Sequence, residues 1–241
     1  MYGSVYFGNL NYGVEIMANF SIALDGPSGA GKSTLARRAA EHFGFIYVDT
    51  GALYRCVGLF VMRNGVDSKD KDGVLALLPE ISLEMKYDDN GIQRMILNGE
   101  DVTDEIRTPE ASIYASDVSA MPAVRGFLLS MQRGMAEKYS VIMDGRDIGT
   151  VVLPCADLKV FLAADAEVRA KRRYKELIEK KLNVTFEEVL SDMNKRDEND
   201  SRREAAPLKP ADDAVMLDTT DLNLEESIEA LQRLISQRLQ Q

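Results

Sequence analysis

The chain has 241 residues, enough for one sizeable domain with smaller inserts, and its 45% hydrophobic and 28% charged content suits a globular protein with a buried core. A formal net charge of −10 disfavours unspecific binding to a nucleic-acid polyanion while leaving room for a small basic pocket, and no apolar run is long enough to span a membrane. Two distant cysteines, Cys56 and Cys155, and a single histidine, His42, exclude His-based metal sites and catalytic triads and fit reduced thiols in a cytoplasmic protein.

In chain order, residues 1–16 lack the basic start and apolar stretch of a secretory signal. They read as an extension ahead of Met17, expected to be disordered, with the folded domain over 17–241. Residues 21–24 (SIAL) predict a buried strand, followed by a glycine-rich loop and a helix over 32–43. A second strand (45–48) ends at Asp49, and the helix after it stops at Gly65. From 67 to 108 the texture changes: ISLEMKY and QRMILNG alternate apolar and polar residues around DDNG, which predicts a β-hairpin in a small insert.

Helical patterns fill 109–138, and strands follow at 140–143, ending at Asp144, and at 158–163. Residues 165–181 form a basic helix, and Thr185 with Glu188 opens the next one as a capping box. A last strand (214–218) precedes a helix whose Leu224, Ile228, Leu231, Ile235 and Leu239 make one apolar stripe. Strands alternating with helices predict an α/β fold, a parallel sheet covered on both faces.

Gly26, Pro27, Ser28, Gly29, Ala30, Gly31, Lys32 and Ser33 match GxxxxGK(S/T) between a strand and a helix, the context that motif requires. The glycines let successive N–H groups converge on phosphate oxygens, and the helix that begins Lys32, Ser33, Thr34 adds its positive end. Lys32 is expected at the β- and γ-phosphates and Ser33 on Mg²⁺, with Asp144 orienting the ion through water. The pattern predicts a P-loop NTPase fold and a nucleoside triphosphate site.

NKRD (194–197) imitates the guanine-reading motif of GTPases but lies inside a charged helical pattern, not after an apolar strand. Gly145 follows Asp144 where a hydrolysing ATPase would carry a glutamate, which favours transfer to a bound acceptor. Arg169, Arg172 and Arg173 share one helix face, and Arg196, Asp200 and Arg203 fall at i, i+4, i+7 if their helix continues. Two arginine sets in an acidic chain suit a reaction that neutralises a migrating phosphoryl group.

The stretches GPSGAGKSTLA, YVDTGALYR, NGEDVTDEIRTPE, ASDVSAMPAVR, DGRDIGTVVLPCADLKVFL and KRDENDSRREAAPL, in this order, make the chain resemble the bacterial cytidylate kinase family of nucleoside monophosphate kinases. The resemblance implies ATP as donor, CMP and dCMP as acceptors, Mg²⁺ as cofactor and a place in pyrimidine nucleotide metabolism. It also implies a mobile lid at about 165–182 and an acceptor-binding insert at about 67–108. By the same resemblance, Thr50 and Arg55 hold the acceptor phosphate, Ser116, Arg125 and Asp147 read cytosine, and Arg196 and Asp200 contact the ribose. Arg146 and Arg203 would touch the acceptor phosphate or base. Arg172 and Arg173 would close on the donor phosphates, and with Lys32 and Arg146 they form the implied catalytic set. The expected partners are two small nucleotides, with no nucleic acid and no membrane, and the expected state is a cytoplasmic monomer. Two rivals remain at this stage: a kinase resembling shikimate kinase, in which Asp49 engages a hydroxyl acceptor, and a nucleotide-dependent binding module without turnover.

Overall fold

The structure is a computed structural model that describes residues 6–7, 19–89, 91–179 and 181–241. In chain order its elements are β1 (Tyr6–Phe7), β2 (Ser21–Asp25), α1 (Lys32–Phe43), β3 (Ile46–Asp49), α2 (Thr50–Arg63), α3 (Lys71–Leu77), β4 (Leu83–Tyr87), β5 (Gln93–Leu97) and β6 (Glu100–Asp101). They continue with α4 (Pro109–Ser119), α5 (Pro122–Lys138), β7 (Val141–Gly145), β8 (Leu158–Ala163), α6 (Ala166–Glu179), α7 (Phe186–Arg202), β9 (Val215–Asp218) and α8 (Leu224–Leu239). The described residues divide into two compact units: 20–45 with 141–241, and 46–140 with the few that precede residue 20.

In the first unit, parallel strands run in the order β7-β2-β8-β9, with Ile22 opposite both Ile142 and Leu158 and Val160 opposite Val215. Ile22, Ala23, Leu24, Val141, Ile142 and Met143 are wholly buried, because helices cover both faces of a parallel sheet and leave no polar side to alternate with. β9 lies at the end of this order and exposes Val215 and Met216. α1 ends at Gly44 in the left-handed conformation, and His42 sits exposed in its last turn, edge-on to the Phe43 ring. The capping box expected at Thr185 and Glu188 opens α7, with both hydrogen bonds formed. NKRD lies inside that helix. In α8, Ile228, Leu231 and Ile235 are buried as the stripe requires, but Leu224 is 52% exposed. It occupies the first helical position, where the stripe has run past the core.

In the second unit, β4 and β5 pair antiparallel with Leu83 opposite Leu97, Met85 opposite Met95 and Tyr87 opposite Gln93. These six side chains point inward, as the alternation in the sequence demands. A second tight hairpin joins β5 to β6 through Asn98 and Gly99, at φ 49° and 88°, the residue pair a two-residue turn with positive φ favours. β1 lies parallel beside β4, Tyr6 opposite Lys86 and Phe7 opposite Tyr87. Apart from those two residues, the extension read over 1–16 lies outside the described residues. The hairpin expected over 67–108 is thus present inside a larger unit that also holds α2, α4 and α5. No helix among the described residues is long and apolar enough to cross a membrane.

Helices α2 and α4 cross closely at Gly58. A Cβ there would lie 2.8 Å from the Ala115 nitrogen and 3.0 Å from the Tyr114 Cβ. Gly58→Ala therefore sets about 1 kcal/mol of helix propensity gained against an overpacking cost of about 1–3 kcal/mol, borne by backbone that must move apart. Chemical denaturation of the variant should show a net loss of stability; a gain would mean the two helices can separate freely.

Candidate active site

The glycine loop after β2 is built by backbone geometry. Gly26, at φ 152°, ends β2 so close to β8 that a Cβ would stand 2.3 Å from the Leu162 carbonyl oxygen, so no other residue fits. Gly29 and Gly31 adopt positive φ of 71° and 89°, and Gly31 caps α1, whose first turn is Lys32, Ser33 and Thr34. Ala30, within the loop, is buried. Lys32 reaches back to donate to the Pro27 carbonyl at 2.7 Å. Burial pushes its ammonium down to about 7, with Arg146 adding to the effect and Asp144 and Asp25 opposing it. Ser33 donates from its hydroxyl to Asp144 at 2.7 Å, which places two hard oxygen donors side by side at the start of α1.

The segment after β7 carries the predicted Arg146 and Asp147, and α7 brings their partners. Arg146 donates to Asp200 at 2.8 Å, Arg203 lies 3.7 Å from Asp200 and 3.4 Å from Asp147, and all four side chains are mostly buried. The result is a chain of alternating charges. Burial alone would raise the Asp200 carboxyl, but Arg146, Arg203 and Arg196 together hold it below the usual range. Arg203 departs from the i+7 position expected of it: α7 stops at Arg202, and Arg203 turns away in an extended conformation to donate to the Ala206 carbonyl at 2.6 Å.

Asp25 had no role assigned from sequence. Its carboxylate accepts the N–H groups of Ile148 at 2.8 Å and Gly149 at 2.7 Å, and so anchors the segment that holds Arg146 and Asp147. Burial nonetheless pushes its carboxyl up to about 6, against those two N–H bonds. Its position, the last residue of an apolar strand directly before the glycine loop, was the available signal.

The three arginines of α6 share a face and then diverge. Arg169 is buried and engages the Ser28 carbonyl and Asp197. Arg172 donates to the carbonyls of Thr219, at 2.7 Å, and Leu222, at 3.2 Å. Arg173 is exposed and meets Glu176 at 2.9 Å.

In the unit of residues 46–140, α2 supplies Thr50 and Arg55. Asp49, not Thr50, caps this helix, accepting the Ala52 N–H at 3.0 Å. The same carboxylate accepts from Arg55 at 2.8 Å and from Arg107 at 3.4 Å. Burial opposes its charge, but Arg55 and then Arg107 outweigh that and hold the carboxyl below its ordinary value. Arg55 Nε is buried with no partner among the described residues, a donor left available for an anion. Arg107 was not foreseen, because only the fold brings the short helical turn at residues 105–107 beside α2. Ser116 lies half-buried within α4, away from its cap at Thr108. Arg125, at the start of α5, donates to the Ser119 carbonyl at 3.2 Å and stands 5.5 Å over the Tyr54 ring.

A family model described as cytidylate kinase matches residues 22–237. Among curated proteins, the cytidylate kinase of Caldicellulosiruptor bescii is 48% identical over 218 residues, covering 90% of this chain and 96% of that protein. The cytidylate kinase of Thermosipho melanesiensis is 48% identical over 217 residues, 90% of this chain and 97% of that protein. Among solved structures, shikimate kinase from Acinetobacter baumannii in complex with shikimate aligns with 16% identity and a TM-score of 0.42 over 92% of this chain and 94% of that chain, too loose a likeness to carry an argument.

Asp49 serves two arginines and a helix cap at once. Asp49→Asn keeps a capping oxygen but removes the charge, and it should cost about 3 kcal/mol of stability at pH 7. Because the folded-state carboxyl is lowered from 3.8, this contribution is present above about pH 4 and is lost as pH falls through the folded value. Melting curves of the two proteins should therefore converge in acid, and a gap independent of pH would overturn the electrostatic account.

Proposed function

Because this chain belongs to the cytidylate kinase family, we propose that it transfers the terminal phosphoryl group of ATP to CMP and to dCMP, releasing ADP with CDP or dCDP. The observation that carries the reading onto these residues is a P-loop lysine beside an Asp-paired hydroxyl. Taken by itself, the unit of residues 46–140 adds a half-buried arginine, Arg55, whose Nε has no partner among the described residues. Asp49 is committed to Arg55, Arg107 and the α2 cap, which leaves the hydroxyl-acceptor rival without its carboxylate.

An acceptor phosphate is already ionised near neutral pH, so no general base is required, in keeping with a chain that has one histidine, exposed on α1. Rate then depends on alignment and on fixed positive charge. In this reading, the loop N–H groups and Lys32 hold the donor phosphates. Ser33 and Asp144, both hard oxygen donors, fit Mg²⁺, which supplies charge neutralisation across those phosphates when bound. Thr50, Arg55 and Arg107 hold the acceptor phosphate. Ser116, Arg125 and Asp147 offer donors and an acceptor to cytosine, while Arg196 and Asp200 face the ribose. Arg146, paired to Asp200, stands near Lys32. Arg173 is the lid arginine best able to swing toward the phosphates, since its Glu176 partner is also exposed. We place the enzyme in the cytoplasm, in line with its two free thiols, Cys56 buried and Cys155 exposed, and take a monomer as its proposed state.

A coupled assay of ADP release against CMP, dCMP, UMP, AMP, dTMP and shikimate tests the reading: CMP and dCMP should turn over best, and silence with every pyrimidine monophosphate would refute it. Lys32→Ala should abolish transfer while leaving the melting temperature near that of the native protein. Arg173→Ala should lower kcat by about 10³-fold at unchanged stability. Arg172→Ala should also lower the melting temperature, since it frees the carbonyls of Thr219 and Leu222. Arg125→Met should raise KM for CMP and spare ATP binding; an equal loss of ATP affinity in a titration would remove Arg125 from base reading.

A further inference from the structure

Two residues noted in the sequence take no part in the reaction described above: Arg169 on the basic face of α6, and Asp197 within the NKRD stretch of α7. In the fold they meet on the donor loop. Arg169 is 6% exposed and donates from Nη1 to Asp197 at 2.5 Å and to the Ser28 carbonyl at 2.8 Å. The other Asp197 oxygen accepts the Ser28 N–H at 3.1 Å. One ion pair, contributed by two helices, thus grips two successive peptide groups of the P-loop.

Arg169 Nε donates to the Ala164 carbonyl at 2.9 Å, which fixes the guanidinium plane at the junction of β8 and α6. One turn before Asp197, Met193 covers the next loop residue. A Cβ on Gly29 would lie 2.5 Å from Met193 Cε and 3.3 Å from the Arg169 carbonyl oxygen. Met193 itself packs with Ala170 and Val189 in the small core shared by α6 and α7. A bare carboxylate beside a phosphate-binding loop would repel the incoming triphosphate. Here the arginine neutralises it, and the carboxylate becomes an acceptor for loop backbone.

We propose that Arg169 and Asp197 are positioning residues of the kinase: their ion pair clamps the P-loop at Ser28, sets its amides for the donor triphosphate, and ties the loop to the two helices that carry Arg173 and Arg196. This rests on the kinase reading above. A lysine at 169 carries its three donors on a single nitrogen and could not reproduce donations that leave Nε and Nη1 in fixed directions.

Calorimetric titration with ATP and steady-state kinetics with CMP, on Asp197→Asn and Arg169→Lys, test the clamp. Both the Kd and the KM for ATP should rise about tenfold or more in Asp197→Asn. KM for CMP should stay within about twofold, with Arg169→Lys shifted in the same sense. Unchanged ATP binding in Asp197→Asn overturns the proposal. So does a parallel rise of both KM values that tracks a fall in melting temperature, which would make the pair a stabilising contact. If Asp197→Asn does not fold, Arg169→Lys decides on the same readings. CMP turnover by the unaltered enzyme tests the kinase reading separately, because ATP binding requires no acceptor.

Discussion

A site that moves phosphoryl groups must hold several cations in place before any phosphate arrives, and a cation out of bulk water needs a carboxylate beside it. The structure meets this requirement repeatedly. Asp49 lies against Arg55 and Arg107, and Asp200 lies between Arg146 and Arg203, with Asp147 beyond. Asp197 answers Arg169. Lys32 feels Asp144 and Asp25 but is still pushed down by burial and by Arg146. These carboxylates matter to the fold as much as the arginines they face, since removing one leaves a buried charge without compensation.

The same groups also shape backbone. Asp49 caps α2, Asp25 holds the N–H groups of Ile148 and Gly149, and Asp197 takes the N–H of Ser28. Each therefore couples a buried charge to the placement of a loop or helix start that carries residues read from the sequence as site candidates. Cross-linking of this kind gives an electrostatic site the rigidity it needs, because a preorganised donor does not have to reorganise at the moment of reaction. It also bears on acceptor chemistry. With Asp49 committed to two arginines and a cap, its carboxylate is not left over for a hydroxyl that needs a base.

Much of the fold was legible in the chain because it rests on local rules. The period-2 alternation of β4 and β5, the capping box at Thr185, the glycine loop before α1 and the stop at Gly65 all follow from residue type and spacing within a few positions. Two local patterns run out where they meet an element's end. Leu224 continues the α8 stripe in sequence but stands at the first position of the helix, exposed. Arg203 continues the α7 spacing but falls beyond its last turn.

What the amino-acid order determined by itself was the P-loop, the element types and the family, because glycine, lysine and apolar periodicity act over distances the chain specifies directly. Tertiary structure alone decided which cation meets which carboxylate. Arg107 reaches Asp49 across 58 residues and Arg146 reaches Asp200 across 54, while Arg169 meets the Ser28 carbonyl across 141. Spacing put Arg169, Arg172 and Arg173 on one face, yet one meets the glycine loop at Ser28, one reaches the β9–α8 connection and one stays exposed. Coulomb attraction and hydrogen bonding depend on separation in space, and only packing of the elements sets that separation.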